Sequence, residues 1–111
     1  MRRSDLHQLL RGVTEPLMLF IIGELPTHGY QIAKELERRS SGYFKLAGST
    51  VYSALRRLEK KGLVVSSWEK VSRKQKRRCY HLTWKGRRIL RKKLAEWQRF
   101  RIAADTIINN H

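Results

Sequence analysis

Acidic residues are scarce in this chain of 111 residues, which has nine Asp and Glu against 25 Lys and Arg and a formal net charge of +16. A charge imbalance of this size indicates a polyanionic partner, which is usually nucleic acid and less often an anionic membrane. The excess is concentrated, because twelve Lys and Arg and no Asp or Glu occur between Lys70 and Lys93. The composition therefore favours nucleic-acid binding, with a merely soluble basic surface as the alternative.

Cysteine is scarce, and long hydrophobic runs are absent from the sequence. Cys79 is the only cysteine, so the chain cannot form an intramolecular disulfide, and we interpret it as a small, partly buried strand residue. The longest apolar run, Leu17 to Ile22, is far too short to span a bilayer. Polar residues interrupt any apolar region after Arg2 and Arg3, which excludes a signal peptide. We expect a cytoplasmic protein with no membrane partner, associated with the nucleoid when it is bound to DNA.

Motifs for catalysis and metal binding are missing. The four histidines, His7, His28, His81 and His111, have neither metal-ligand spacing nor cysteine partners. No Ser-His-Asp, Cys-His or paired-carboxylate arrangement and no Gly-rich phosphate loop is visible. We therefore expect no bound metal, no cofactor and no enzymatic activity.

The stretch from Gly48 to Gly62, GSTVYSALRRLEKKG, predicts a short helix. Its apolar stripe, formed by Val51, Leu55 and Leu58, follows helical spacing. Ser49 or Thr50 can cap its start, and Gly62 can end it in a left-handed conformation. The other sides carry hydroxyl and guanidinium groups, which suit the base edges and phosphates of a DNA major groove. The candidates for DNA contact here are Ser49, Thr50, Tyr52, Ser53, Arg56 and Arg57. A solvated helix face is the alternative, and Tyr52 is alternatively a wedge between helices.

Two helices are predicted before this stretch. Thr14-Glu15-Pro16 is typical of a helix start, and the apolar helix that follows to residue 25 is expected to be buried on more than one side. Residues 1–12 form a short helix or a mobile arm, in which Arg2, Arg3 and Arg11 are available to DNA. A second helix over residues 30–39 follows a turn at Pro26 to Gly29. Its candidates for positioning the DNA backbone are Tyr30, Gln31 and Lys34, with solvated surface as the alternative.

The hydrophobic period changes from 3.6 to 2 after Gly62, which predicts strands over residues 63–68 and 78–83. The segment between them is strongly basic, so the two strands form a cationic hairpin. Its candidates for phosphate contact are Arg73, Lys74, Lys76 and Arg77.

A last helix, capped by Thr83, is predicted over residues 84–108, with a length of about 38 Å at 1.5 Å per residue. Its apolar stripe consists of Leu90, Leu94, Trp97, Phe100, Ala104 and Ile107. A domain of this size cannot bury so long a stripe alone, so the excess is expected to pack against the same helix of a second copy.

Three helices followed by a two-stranded hairpin is the winged helix-turn-helix order, and the motifs resemble the PadR family of bacterial and archaeal transcription regulators. These motifs are His28-Gly29-Tyr30 with Ile32, Ser49-Thr50-Val51-Tyr52, Leu55-Arg56-Arg57-Leu58-Glu59, Gly62-Leu63-Val64, and Tyr80-His81-Leu82-Thr83 with Gly86. The likeness covers roughly residues 13–100. With a single C-terminal helix, the chain is similar to the short-form members.

The resemblance implies an α+β, mainly α fold: a winged helix-turn-helix domain with a two-stranded β-wing and a long C-terminal dimerisation helix. We place the N-terminal arm at residues 1–12, the DNA-binding domain at 13–83 and the dimerisation helix at 84–111. The implied function is a homodimeric repressor that inserts its third helix into the major groove of a pseudo-palindromic operator, with the wing near the backbone or minor groove.

Some members of the family respond to small molecules, including flat aromatic compounds that stack at the dimer centre. The resemblance therefore makes Trp97 and Phe100 candidates for binding a small hydrophobic or aromatic effector, with plain dimer core as the alternative. Two other functions fit the basic composition: a sequence-indifferent packaging or RNA-associated protein, and a protein whose helices bind another protein.

Overall fold

The structure, a computed structural model, describes the backbone of residues 3–110 and the side chains of residues 11–110. Its elements in chain order are α1 (Arg3–Glu24), α2 (Gly29–Arg39), α3 (Gly48–Lys60), β1 (Val64–Lys70), β2 (Lys76–Leu82) and α4 (Trp84–Asn109). The two strands form one antiparallel sheet. These elements confirm the predicted mainly helical α+β class and the order of three helices, a hairpin and a long helix. The predicted roles of Arg2, Arg3, His7 and His111 lie outside the described side chains.

Helix α1 continues through Thr14 and Pro16, so the predicted helix start at Thr14 is wrong. Pro16 lacks the N–H that would donate to the carbonyl of Gly12, which costs about 3 kcal/mol in a helix interior. The next turns of α1 bury Met18, Leu19, Ile21 and Ile22, and each such side chain contributes about 1.5–3 kcal/mol. Packing therefore outweighs the proline, and α1 crosses the boundary placed between residues 12 and 13.

The core lies where α1, α2, α3 and the base of the hairpin meet. The predicted stripe of α3 is confirmed, because Val51, Leu55 and Leu58 are all buried. They pack with Met18, Ile22, Ile32, Leu36, Val64 and Tyr80, and Leu90 adds the first turns of α4 to the same cluster. One core therefore fixes the orientation of α3 relative to the wing.

Helix α3 ends as the sequence predicts and begins differently. Gly62 has φ +77°, its N–H donates to Glu59 O at 3.0 Å, and Leu63 N donates to Leu58 O at 2.9 Å, which is a Schellman ending. At the start, the N-cap is Ala47, which makes no side-chain cap. Capping by Ser49 or Thr50 is therefore wrong, because the helix begins before them and places both hydroxyls in its exposed first turn.

The hairpin strands are longer than predicted, because pairing continues from Val64↔Leu82 out to Lys70↔Lys76. Only residues 71–75 connect them, closed by a hydrogen bond from Val71 N to Gln75 O of 2.9 Å. At the base of the hairpin, Thr27 forms a bridge with Tyr80, with Tyr80 N donating to Thr27 O at 2.7 Å. The segment predicted as a plain turn therefore also attaches the wing to the helices.

The junction between α3 and α4 depends on Thr83, whose predicted capping role is confirmed. Its Oγ1 accepts a hydrogen bond from Gly86 N at 3.0 Å and donates one to Gly62 O at 2.7 Å. Gly86 lies against the backbone of Leu63, so a Cβ added there would collide with the Leu63 carbonyl oxygen. The start of α4 is thus fixed to the end of α3.

Gly86→Ala should lower the free energy of unfolding by about 1–3 kcal/mol, since the backbone of α4 must move away from Leu63. Gly12→Ala is a matched control, because a Cβ at Gly12 meets nothing within 4 Å and alanine favours a helix interior by about 0.5–1 kcal/mol. Urea unfolding monitored by circular dichroism measures both. Equal stability of the two variants would contradict the close approach at Gly86.

Candidate nucleic-acid interface

The outer face of α3 is open and chemically suited to base edges. Ser49, Thr50 and Arg56 are exposed, and Ser53 is half-buried. Arg56 Nη2 donates to Ser53 Oγ at 3.3 Å, which orients the guanidinium along the helix. Because the opposite side of α3 is anchored in the core, this face is presented on a rigid support.

Arg57 lies elsewhere, on the side of α3 that faces α1. Its Nη2 and Nε lie 2.8 and 2.9 Å from Oε2 of Glu15, whose side chain is only 12% exposed. Lys61 Nζ lies 3.8 Å from the other oxygen of that carboxylate. The structure therefore separates the two arginines that the sequence groups together: Arg56 is on the open face, and Arg57 joins two helices.

Helix α2 presents Tyr30 and Lys34, both exposed, beside a half-buried Gln31. Lys34 Nζ lies 5.3 Å above the Tyr30 ring, a cation–π contact that positions the ammonium group. The C-terminal half of α2 is engaged internally, because hydrogen bonds from Arg38 and Arg39 lower the pKa of Glu35 to about 2. Arg38 and Arg39 are thus paired with Glu35, whereas Tyr30 and Lys34 of the N-terminal half are exposed and contact each other.

Tyr52 lies at the junction of α2 and α3. A Cβ built on Gly29 would lie 2.6 Å from Cε1 of the Tyr52 ring, so only glycine fits there without displacing the ring. This contact explains the glycine of the His28-Gly29-Tyr30 motif and supports the wedge interpretation of Tyr52. The side chain is still 45% exposed, so its surface also borders the open face of α3.

The wing is a cationic ridge. Arg73, Lys74, Lys76 and Arg77 are all exposed. Lys70 and Lys76 face each other directly across the strands, an arrangement of like charges that is unfavourable unless an anion lies nearby. Arg77 lies 4.0 Å from Glu69. The ridge therefore has an uncompensated charge that a row of phosphates would neutralise.

Comparison with known proteins identifies the family to which the chain belongs. A sequence profile of the transcriptional regulator PadR-like family matches residues 18–92. The chain belongs to this family. An uncharacterized protein of Lysinibacillus sphaericus is 33% identical over 97 residues, which are 87% of this chain and 86% of that protein. The predicted family is therefore confirmed.

Solved structures agree. A PadR family transcriptional regulator from Eggerthella lenta is 29% identical with a TM-score of 0.79, over 97% of this chain and 92% of that chain. A PadR-like transcriptional regulator from Bacillus cereus is 26% identical with a TM-score of 0.79, over 91% and 96% of the two chains. The PadR-like chain is thus a DNA-binding transcription regulator, and its family and structural neighbours are regulators rather than enzymes. No helix of the described residues has the length and apolar character to cross a membrane.

Helix α4 of this PadR-like regulator divides into a packed half and a free half. Leu90 is 8% exposed and packs in the core of its own chain, with Leu94 partly buried against it. Trp97 and Ala104 are half-buried, whereas Phe100 and Ile107 are 74% and 76% exposed. The exposed part of the predicted stripe therefore begins beyond Leu90, which packs in the core of its own chain.

Sequence reasoning did not predict the contacts of Ser66 and Arg78, which lie with Glu59 and Trp68 between α3 and the wing. Arg78 Nη1 donates to Ser66 Oγ at 3.0 Å, and Ser66 Oγ donates to Glu59 Oε2 at 2.8 Å. The Arg78 guanidinium also lies 5.1 Å from the centre of the Trp68 ring. The only signal available was strand alternation, which places residues 76, 78 and 80 on one face of β2.

Proposed function

We propose that this regulator is a homodimeric repressor that reads a pseudo-palindromic operator. The observation that carries the proposal is the division of α3 into a buried apolar half and an open face with Arg56 and three hydroxyl-bearing side chains. Arg56 would bond a guanine edge, and Ser49, Thr50 and Ser53 would contact bases or phosphates.

The elements around α3 would position it on the duplex. Tyr30, Gln31 and Lys34 of α2 would contact the backbone, as the first helix of a helix-turn-helix does. Arg73, Lys74, Lys76 and Arg77 of the wing would contact phosphates and carry little sequence information. In this arrangement residues 13–83 bind DNA, Tyr52 braces α3 against α2, and Arg57 stabilises the helix rather than reading bases.

The free half of α4, within residues 84–111, would form the dimer. Trp97, Phe100, Ala104 and Ile107 supply its apolar stripe, and Leu94 extends it toward the domain. Two copies would place their α3 helices on half-sites about one helical turn, or a multiple of it, apart. Occupying promoter DNA in the cytoplasm would then repress transcription.

An effector would act through the spacing of the two α3 helices. A small hydrophobic or aromatic compound bound at Trp97 and Phe100 must favour one spacing over the other, since equal affinity for both shifts nothing. The exposed aromatic ring of Phe100 in the single chain supports a stacking site at the dimer centre.

Sequencing the genomic fragments that the protein retains would identify the operator, and competition against random duplexes would then test the proposal. A repressor prefers the recovered sequence at physiological salt. Equal binding to all duplexes would instead favour a sequence-indifferent packaging protein, which the net charge of +16 also suits.

Arg56→Ala should weaken binding to the operator by about 1–3 kcal/mol and relax base preference at one position of each half-site. Lys92→Ala, on the exposed surface of α4, removes the same charge without touching α3 and serves as the control. Fluorescence anisotropy on the operator and on single-base variants measures both. A loss for Arg56→Ala that is the same on every duplex would remove Arg56 from base reading.

A further inference from the structure

The space between α3 and the wing is a distinct cleft of about 550 Å³. That volume lies within the range of roughly 300–1,000 Å³ that is typical of ligand pockets. Its walls combine the aromatic rings of Tyr52, Trp68 and Tyr80 with the cationic side chains of Arg56 and residues 76–78, and Glu59 also borders it. An aromatic and cationic wall suits a sugar–phosphate segment, because the rings pack on the sugar and the cations bind the phosphate.

We infer that this cleft binds one backbone phosphate of each operator half-site, with Arg78 as its main ligand and Glu59 as the residue that positions Arg78. The inference rests on the proposed function and adds a site to it. When α3 lies in the major groove and the wing lies at the neighbouring minor groove, the DNA strand between the two grooves must pass between α3 and the wing.

Arg78 is oriented in advance for this contact. Its Nη1 is engaged by Ser66 at 3.0 Å and lies 3.6 Å from Glu59 Oε1, and its guanidinium stacks on Trp68. The side chain nevertheless remains 46% exposed. A guanidinium carries five N–H donors, so donors remain for a phosphate after Ser66 is satisfied. Fixing the rotamer beforehand reduces the entropic cost of binding.

Glu59 connects the wing to α3. It belongs to α3, whereas Ser66 and Arg78 belong to β1 and β2, so the chain Glu59–Ser66–Arg78 joins three elements. Loss of Glu59 would release Arg78 and allow the wing to change its angle to α3. Glu59 therefore favours DNA binding, although a carboxylate near phosphates is repulsive by charge alone.

Charge alone and the positioning role of Glu59 predict opposite changes in DNA affinity when Glu59 is removed, which allows a test with matched controls. Glu69 is a second wing acid, paired with Arg77 at 4.0 Å outside the Glu59–Ser66–Arg78 chain. Charge alone predicts that Glu59→Ala and Glu69→Ala both bind DNA more tightly. Our inference predicts that Glu69→Ala binds as well as or better than wild type, whereas Glu59→Ala binds about tenfold more weakly, the scale of a charged hydrogen bond.

The wing arginines form a second matched pair, since Arg73→Ala and Arg78→Ala remove the same charge and only Arg78 of the two lines the cleft. We expect Arg78→Ala to weaken binding about tenfold and Arg73→Ala to weaken it clearly less. The double variant Glu59→Ala/Arg78→Ala should bind no worse than Arg78→Ala, because Glu59 acts through Arg78. Ser66→Ala breaks the same connection without a change of charge and covers the case in which Glu59→Ala does not fold.

A phosphate-by-phosphate scan distinguishes a DNA contact from a purely structural role. In each half-site, a methylphosphonate substitution at one position should weaken the binding of wild type but not that of Arg78→Ala. The inference is overturned if Glu59→Ala binds as tightly as Glu69→Ala, or if Arg78→Ala responds to every substitution as wild type does. Wild-type preference for the operator over random duplexes tests the proposed function separately, so the two failures are distinguishable.

Discussion

Raising the salt concentration from about 50 to 200 mM should weaken operator binding by roughly 10³–10⁵, the decrease expected for six to ten phosphate contacts. The chain has four exposed wing cations, Arg73, Lys74, Lys76 and Arg77, together with Lys34 of α2. The proposed dimer would therefore supply enough cations for that number of contacts. Released counterions make the affinity fall linearly on a log–log plot against salt, which fluorescence anisotropy can follow across the range.

Substitutions in the wing test this salt dependence of DNA binding. Lys74→Gln with Lys76→Gln should weaken binding to all duplexes alike and reduce the log–log slope by about one for each phosphate that the variant no longer neutralises. Lys92→Gln on α4 is the control for a charge removed elsewhere. A selective decrease at one sequence, or a slope that the wing substitutions leave unchanged, would contradict the assignment of the wing to phosphates.

Local signals in the sequence were sufficient for much of the fold. The stripe of Val51, Leu55 and Leu58, the left-handed Gly62 and the cap at Thr83 each depend on residues within a few positions of one another. Helical spacing, a positive φ and a hydroxyl before a helix are consequences of short-range geometry. For that reason the order of elements and the open face of α3 could be predicted without knowledge of the packing.

Contacts between residues far apart in the chain determine the features that local sequence patterns could not predict. Arg57 is engaged by Glu15, 42 positions earlier, and no local pattern distinguishes it from the neighbouring Arg56. Pro16 is typical of a helix start, but α1 extends through it because the following turns are buried. Arg78 meets Glu59 only through the register of the hairpin, which places Arg78 opposite Trp68.

The few acidic residues of the chain are mostly engaged by its own cations. Of the nine acidic residues, six take part in ion pairs within the described side chains: Glu15, Glu24, Glu35, Glu59, Glu69 and Glu96. Glu15 joins Arg57 of α3 to α1, whereas the exposed pair of Glu35 and Arg38 lies within α2. None of these ion pairs includes Arg56 or Lys74. Pairing with an acid therefore does not by itself remove a cation from the proposed DNA-binding surface, since Arg77 and Arg78 are paired with Glu69 and Glu59.

Phe100→Asp with Ile107→Asp should convert the protein to a monomer and lower its operator affinity by about 10²–10⁴. Both side chains lie more than 70% exposed on the free half of α4, so the substitutions do not disturb the core of the single chain. In a dimer they would place buried carboxylates against an apolar surface, which is strongly unfavourable. Once the copies separate, each half-site must be bound independently, and the advantage of a linked second half-site disappears.

Light scattering at micromolar concentration, combined with anisotropy on the full operator and on one half-site, measures both consequences. Ile102→Asp is the matched control, because Ile102 is also exposed but lies on the other side of α4, two positions from Phe100. We expect it to remain dimeric and to bind the operator within a few-fold of wild type. If the double variant stayed dimeric, the stripe of Trp97, Phe100, Ala104 and Ile107 would not be the interface. If it became monomeric yet kept its operator affinity, the two half-sites would not be read by linked copies, and α4 would have no part in recognition.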